Sequence, residues 1–153
     1  SLLLVALMTW CCLSTTHAGK ILTFVCSATW TDPDTGEKTP CAFKRKVEFG
    51  GGKLSKTLTG FCWSCSKFVY LRWTREGIDP KRMAAMGLKY VSKPSPVATL
   101  WDGVTGKTLP LYPCPDCRKP FREIASEKHL KHCPKCQGST FKPDPKKPVL
   151  IFD

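Results

Sequence analysis

The sequence predicts a small α+β protein, mainly short antiparallel strands gathered around two metal-stabilised modules. Three observations predict it. The chain has 153 residues, enough for one ordinary domain or two very small ones and too short for a multidomain enzyme. Thirteen Pro and eleven Gly punctuate it into short elements joined by turns. Ten residues are cysteine, and six of these fall in C-x-x-C pairs. An apolar content of 42%, with five Trp and eight Phe to bury, excludes a disordered chain.

Residues 1–19 read as an apolar leader. Residues 2–13 are uncharged and far shorter than the ~20 needed to span a bilayer, so no transmembrane helix is expected. The stretch has the length of a secretory core, and Thr16, His17 and Ala18 before Gly19 offer a cleavage site, but a basic flank is missing. An arm packed on the domain, or a start wrongly extended upstream of Met8, are the alternatives.

Residues 20–93 are expected to form a β-rich cysteine module. Leu22, Phe24, Cys26, Ala28 and Trp30 alternate with polar residues. A turn at residues 32–36 follows, and then Cys41, Phe43, Val47 and Phe49 alternate with Lys44, Lys46 and Glu48. Closing this hairpin places Cys26 opposite Cys41 and Phe24 opposite Phe43. The Cys62-Trp-Ser-Cys65 turn leads into a third strand over 68–73, and Asp79-Pro80 caps a short helix that stops at Gly87. Residues 92–96 read as an extended linker, which puts the boundary near residue 93.

Residues 94–153 form the second module. A turn at 100–106 between short strands delivers residues 109–112 to a knuckle, and Phe121, Ile124, Ala125 and Lys128 recur at helical spacing over 121–132. The tail is basic and Pro-rich. Its last residues, Val149, Leu150, Ile151 and Phe152, suit a strand added to a neighbouring sheet or to a protein partner's edge.

Without the leader's Cys11 and Cys12, eight cysteines remain, enough for four disulfides or two four-thiolate sites. Two thiols three positions apart on a tight turn reach one tetrahedral ion without strain, and a disulfide framework has no need of that pairing. The spacing therefore favours Zn²⁺, one ion or two, and a reducing, intracellular compartment. In the C-terminal module, Cys114 and Cys117 are separated by fifteen residues from Cys133 and Cys136, with Pro115 and Pro134 rigidifying each turn. The run Cys114, Cys117, Lys119, Phe121, His129, Cys133 resembles a C2HC zinc finger. That resemblance implies Cys114, Cys117, His129 and Cys133 as ligands. The same segment is similar to a zinc ribbon, which implies Cys136 as the fourth ligand in place of His129. Arg118 stands where such knuckles usually carry Gly, so its backbone is expected to avoid positive φ. In the first module, Cys26, Cys41, Cys62 and Cys65 are candidates for a second site in a zinc-ribbon-like sheet. The alternatives there are a Cys26–Cys41 disulfide beside a separate C-x-x-C, or buried free thiols. The βαβ context of a thioredoxin-like motif is absent.

The formal net charge is +12. Two four-thiolate zinc sites, each carrying about −2, would lower it to roughly +8, still a clear surplus. Both cysteine-rich parts are basic, with Lys44, Arg45 and Lys46 as the densest run and Arg118, Lys119, Arg122 and Lys131 around the second knuckles. With Trp63, Tyr70, Trp73 and Phe121 interleaved, these residues suit contact with RNA or DNA through phosphates and stacked bases. A non-enzymatic zinc-binding protein contacting nucleic acid, by itself or inside a larger assembly, is the expectation. The alternatives are a zinc-stabilised protein–protein adaptor and a secreted, disulfide-bonded factor cleaved near Ala18. No set of His and carboxylates suggests a catalytic site.

Overall fold

A computed structural model describes residues 18–152, so the leader and its Cys11 and Cys12 lie outside the described residues, apart from Ala18 and Gly19. The elements in chain order are β1 (Gly19–Cys26), β2 (Thr29–Thr31), β3 (Lys38–Pro40), β4 (Lys44–Phe49), β5 (Ser55–Cys62), β6 (Lys67–Thr74), α1 (Pro80–Ala85), β7 (Ala98–Asp102), β8 (Lys107–Pro113), β9 (Pro120–Arg122), a 3-10 turn (Glu127–His129), β10 (Phe141–Pro143) and β11 (Leu150–Phe152). All strand pairs are antiparallel. Among the described residues, no helix is long and apolar enough to cross a membrane.

β1 is the centre of a four-stranded sheet. β4 lies along one side of it, while β11 and β10 share the other side, at its Gly19–Ile21 and Phe24–Cys26 ends. The tail strand expected over 149–152 therefore adds to a sheet of its own chain. The alternation read in the sequence buries Leu22, Phe24 and Cys26 from β1 against Val47, Phe49 and Phe141. Beside this sheet lie the β5–β6 hairpin and the three-stranded sheet β7-β8-β9. A bridge from Gly60 to Glu123 and the Ile124 N–H donating to the Thr59 carbonyl (2.7 Å) stitch β5 to the segment around β9. Gly60 is required there by close approach: a Cβ at that position would overlap the Phe121 ring and stand 2.7 Å from the Arg122 carbonyl.

Strands from the two sides of residue 93 thus interleave, β1 with β10 and β11, and β5 with β9. Two apolar cores result. One gathers Leu22, Phe24, Val47, Phe49, Leu130 and Phe141, and the other Leu58, Val69, Trp73, Tyr112 and Phe121. Each core contains four buried or half-buried cysteines.

The sequence reading and the fold agree on several local elements. Asp79 accepts from the Lys81 N–H and caps α1, and a tight turn joins β7 to β8. They part in three places. The first hairpin closes with Leu22 opposite Val47 and Phe24 opposite Arg45, two residues away from the expected register. A two-residue slip keeps every side chain on its face, so the apolar pattern could not distinguish the two registers. The helix expected over 121–132 does not form. Phe121 instead occupies the middle of β9 opposite Tyr112, and only the 3-10 turn remains, because the extended backbone is paired with β8 and β5 and its ring fills the second core. Glu48, expected on the solvent face, is buried, where it pairs with Arg72 and accepts from Thr57 Oγ1.

Candidate metal centres

All eight described cysteines are free thiols, and the fold gathers them into two groups of four. The first is Cys26, Cys41, Cys133 and Cys136; the second is Cys62, Cys65, Cys114 and Cys117. Within each group every Sγ lies within 4.8 Å of the others. The separations are 3.6 Å for Cys26–Cys136, 3.7 Å for Cys41–Cys133, 3.5 Å for Cys62–Cys117 and 3.9 Å for Cys65–Cys114. A disulfide would need about 2.05 Å. Four sulfurs around one ion at ~2.3 Å in tetrahedral geometry would stand roughly 3.8 Å apart, which is the spacing seen. Either group can hold a metal ion, and a four-sulfur tetrahedral donor set is compatible with Zn²⁺.

This grouping differs from the one that chain proximity suggests. Cys26 and Cys41 do not join Cys62 and Cys65, and Cys114 and Cys117 do not join Cys133 and Cys136. Neither ligand set implied by the finger or the ribbon resemblance is brought together within the C-terminal segment. His129 lies outside both groups: its ring is exposed and its Nδ1 pairs with Ser126 Oγ at 2.9 Å. The loss of the 121–132 helix explains this, because the expected i, i+4 relation to Cys133 depended on it.

The backbone shows why these cysteines converge. Among the described residues, positive φ outside glycine occurs at Ala42, Ser66, Arg118 and Gln137, and each immediately follows a cysteine. The expectation that Arg118 avoids positive φ is corrected by its φ of 64°. In the 114–117 turn the Arg118 N–H donates to the Cys114 carbonyl and the Cys114 N–H to the Lys119 carbonyl; the 133–136 turn repeats both bonds with Gln137 and Gly138. These turns aim backbone N–H groups at the sulfurs, a nest suited to anionic thiolates.

The Cys26/Cys41 pair follows the same plan in a disguised form. The Cys26 N–H donates to the Phe43 carbonyl (2.9 Å), the Cys41 N–H to the Ala28 carbonyl (2.8 Å), and Ala42 has a φ of 50°. Residues 29–40, the fully exposed β2–β3 hairpin, form an excursion from this turn. Without them the chain would read Cys26-Ser27-Ala28-Cys41-Ala42-Phe43, with the spacing of a C-x-x-C knuckle, its positive φ after the second cysteine, and the bond from the first cysteine's N–H to the carbonyl five positions on. All eight cysteines therefore belong to four knuckles, facing each other in two pairs. The sequence signal for the fourth knuckle was a turn-rich segment, residues 32–36, set between two cysteines.

Electrostatics inside each group call for a cation. Burial opposes ionisation of Cys26, but hydrogen bonds from Thr140, the Ala28 backbone and neighbouring thiols bring it down to about 7. Cys114 is likewise lowered to about 7, against its burial, by the backbone N–H groups of Cys117 and Asp116 and by adjacent thiols. Their neighbours go the other way. Burial, then hydrogen bonding to the other sulfurs, pushes Cys41 up to about 12, and Cys65 rises to about 12 through Cys117 first and burial second. Cys62 and Cys133 are also raised, chiefly by burial. One thiolate in such a group suppresses the next, and a bound divalent ion removes that repulsion.

The basic residues singled out in the sequence are exposed but not gathered in one patch. Lys44 pairs with Asp144 (3.4 Å), Arg45 lies 4.9 Å over the Phe43 ring, and Lys46 lines a cleft of about 460 Å³ with Lys44, Arg45, Thr23, Lys147 and Leu150. Arg118 and Lys119 follow the 114–117 knuckle, while Arg122 and Lys131 line clefts elsewhere on the surface. Of the rings singled out for stacking, Trp73 and Phe121 are core residues and Tyr70 is half-buried with its hydroxyl donating to the Lys46 carbonyl (3.3 Å), leaving Trp63, at 62% exposure, as the ring presented at a knuckle tip. Comparison with protein-family models, with curated proteins and with solved structures found no match to this chain.

Proposed function

We propose that this chain is a non-enzymatic zinc protein in which two ribbon-like four-cysteine sites hold a small basic fold together for contact with nucleic acid. The observation that carries the reading is the pair of sulfur tetrahedra with the spacing of a four-thiolate site. Each tetrahedron joins segments about 50 to 110 residues apart, so zinc would supply folding free energy that two small cores supply only in part. Thiols used as ligands suit a reducing, intracellular setting. The surviving positive charge, near +8 with both sites loaded, and the exposed Lys and Arg support backbone contact with RNA or DNA.

Native mass spectrometry in reducing buffer is expected to find two zinc ions per chain, with X-ray absorption reporting sulfur at ~2.3 Å. A protein that folds without metal, or that carries nitrogen ligands, would contradict the reading. Affinity for a single-stranded oligonucleotide is expected to fall steeply between 50 and 200 mM salt, on the order of tenfold or more; an unchanged affinity would remove the nucleic-acid part. The exposed Leu100, Trp101 and Val104 on the β7–β8 hairpin favour the adaptor as a second reading. A protein complex that survives nuclease treatment and is lost in Trp101→Ser would support it.

A further inference from the structure

Between the Cys62–Cys65 knuckle and the Cys133–Cys136 knuckle runs a cleft of about 170 Å³, lined chiefly by Phe61, Trp63, Arg122, His132, Pro134 and Gln137. Neither metal site needs these side chains. Trp63 is 62% exposed, yet its ring is held edge-on by Phe61 at a centroid distance of 4.8 Å, and Phe61 itself is buried. A large ring left in solvent but fixed in position is a platform rather than a core residue. The cleft also carries both kinds of polar partner. Arg122 brings guanidinium donors, and the His132 Nδ1–H donates to the Gln137 carbonyl (3.2 Å), which leaves Nε2 as an acceptor.

A second cleft, of about 370 Å³, adjoins the first through shared Leu130 and His132 and is lined by Lys131, Lys142 and Ser139. Its one carboxylate, Glu127, is engaged by Lys20 at 2.6 Å, so the lysines leave this cleft net positive. We infer that the two clefts together take one unpaired nucleotide, its base stacked on Trp63 beside Arg122 and its phosphate held by Lys131 and Lys142. The inference rests on the nucleic-acid reading above and sharpens it to single strands. Base faces are hidden within a duplex, whereas an unpaired base offers both its face to an aromatic ring and its edge to hydrogen-bonding groups.

The test uses the zinc-loaded full chain and a fluorescein-labelled twelve-nucleotide oligouridylate, read by anisotropy at fixed salt. Trp63→Ala is expected to weaken binding about tenfold, and Trp63→Phe by much less, because stacking survives in a smaller ring. The double variant Lys131→Ala/Lys142→Ala is expected to lower affinity and to reduce the salt slope by about 0.7, the share of one single-strand phosphate. An unlabelled hairpin duplex should compete poorly. Ultraviolet cross-linking of the wild-type chain to the same oligonucleotide, mapped by mass spectrometry, should place the adduct on the Trp63 knuckle; this arm stands even if a variant disturbs folding. Salt-dependent binding that is unchanged in Trp63→Ala, or an adduct mapped elsewhere, overturns the slot and leaves the nucleic-acid reading intact. No binding of the wild type to single strand or duplex overturns both.

Discussion

Ala42, Ser66, Arg118 and Gln137 hold a left-handed backbone that L-residues adopt at a cost of roughly 1–2 kcal/mol each, where the chain turns back after each second cysteine; at Arg118 and Gln137 the turn closes with their N–H donating to the first cysteine's carbonyl. Glycine would relieve that cost, less its own larger chain entropy. Arg118→Gly is therefore expected to stabilise the zinc-loaded protein by about 0.5–1 kcal/mol, seen as a higher denaturant midpoint at unchanged slope. Gly60 is the opposite case. Its missing side chain admits the Phe121 ring, so Gly60→Ala should destabilise by about 1–3 kcal/mol in the same assay. The identity of both residues was plain in the sequence. Their roles were not, because a Gly inside a strand and an Arg after a knuckle acquire meaning only from what the chain places beside them.

At the scale of elements, the knuckle is the repeating unit, and its pairing is the feature most open to test. In Cys26→Ser/Cys41→Ser, one ion should remain and the thiols of Cys133 and Cys136 should become alkylatable while Cys62 and Cys65 stay protected. Pairing by chain proximity would expose Cys62 and Cys65 instead. Removal of residues 29–40 should leave two bound ions, because the excursion contributes no ligand and its strands are exposed. Loss of the first site in that variant would show that the hairpin is needed to set the turn. Three knuckles were legible as C-x-x-C. The fourth was hidden by its twelve-residue insertion, and the helix expected over 121–132 was overridden because Phe121 is worth more in the second core than on an amphipathic helix face.

Across the whole molecule, metal and fold are one equilibrium. Cys41, Cys133, Cys62 and Cys65 hold their protons above the ordinary thiol range in the metal-free protein, so loading should expel at least two protons per site near pH 7.5. Calorimetry of zinc binding in buffers of different ionisation enthalpy reads that number directly. The linkage has a definite sign in the metal-free chain. Cys26 and Cys114 are lowered to about 7, so their contribution is present above the unfolded value near 9 and is lost as pH falls through 7. Cys41 and Cys65 are raised to about 12, so theirs is present below 9 and fades as pH rises toward 12. With metal bound, the thiolates persist to lower pH, because the ion holds all four sulfurs deprotonated until protons displace it.

What could be read from the sequence alone was the inventory: eight cysteines in residues 20–153, six of them at metal-ligand spacing, a surplus of positive charge, short strands of defined period, and an exposed-or-buried pattern that a two-residue slip could not disturb. Only the tertiary structure decided which cysteines face one another. Spacing along the chain specifies how two thiols share a turn, whereas partnership between turns depends on which strands pair. Here β1 with β4, β10 and β11, and β5 with β9, carry each knuckle past its neighbour in sequence to a partner about 50 to 110 residues away.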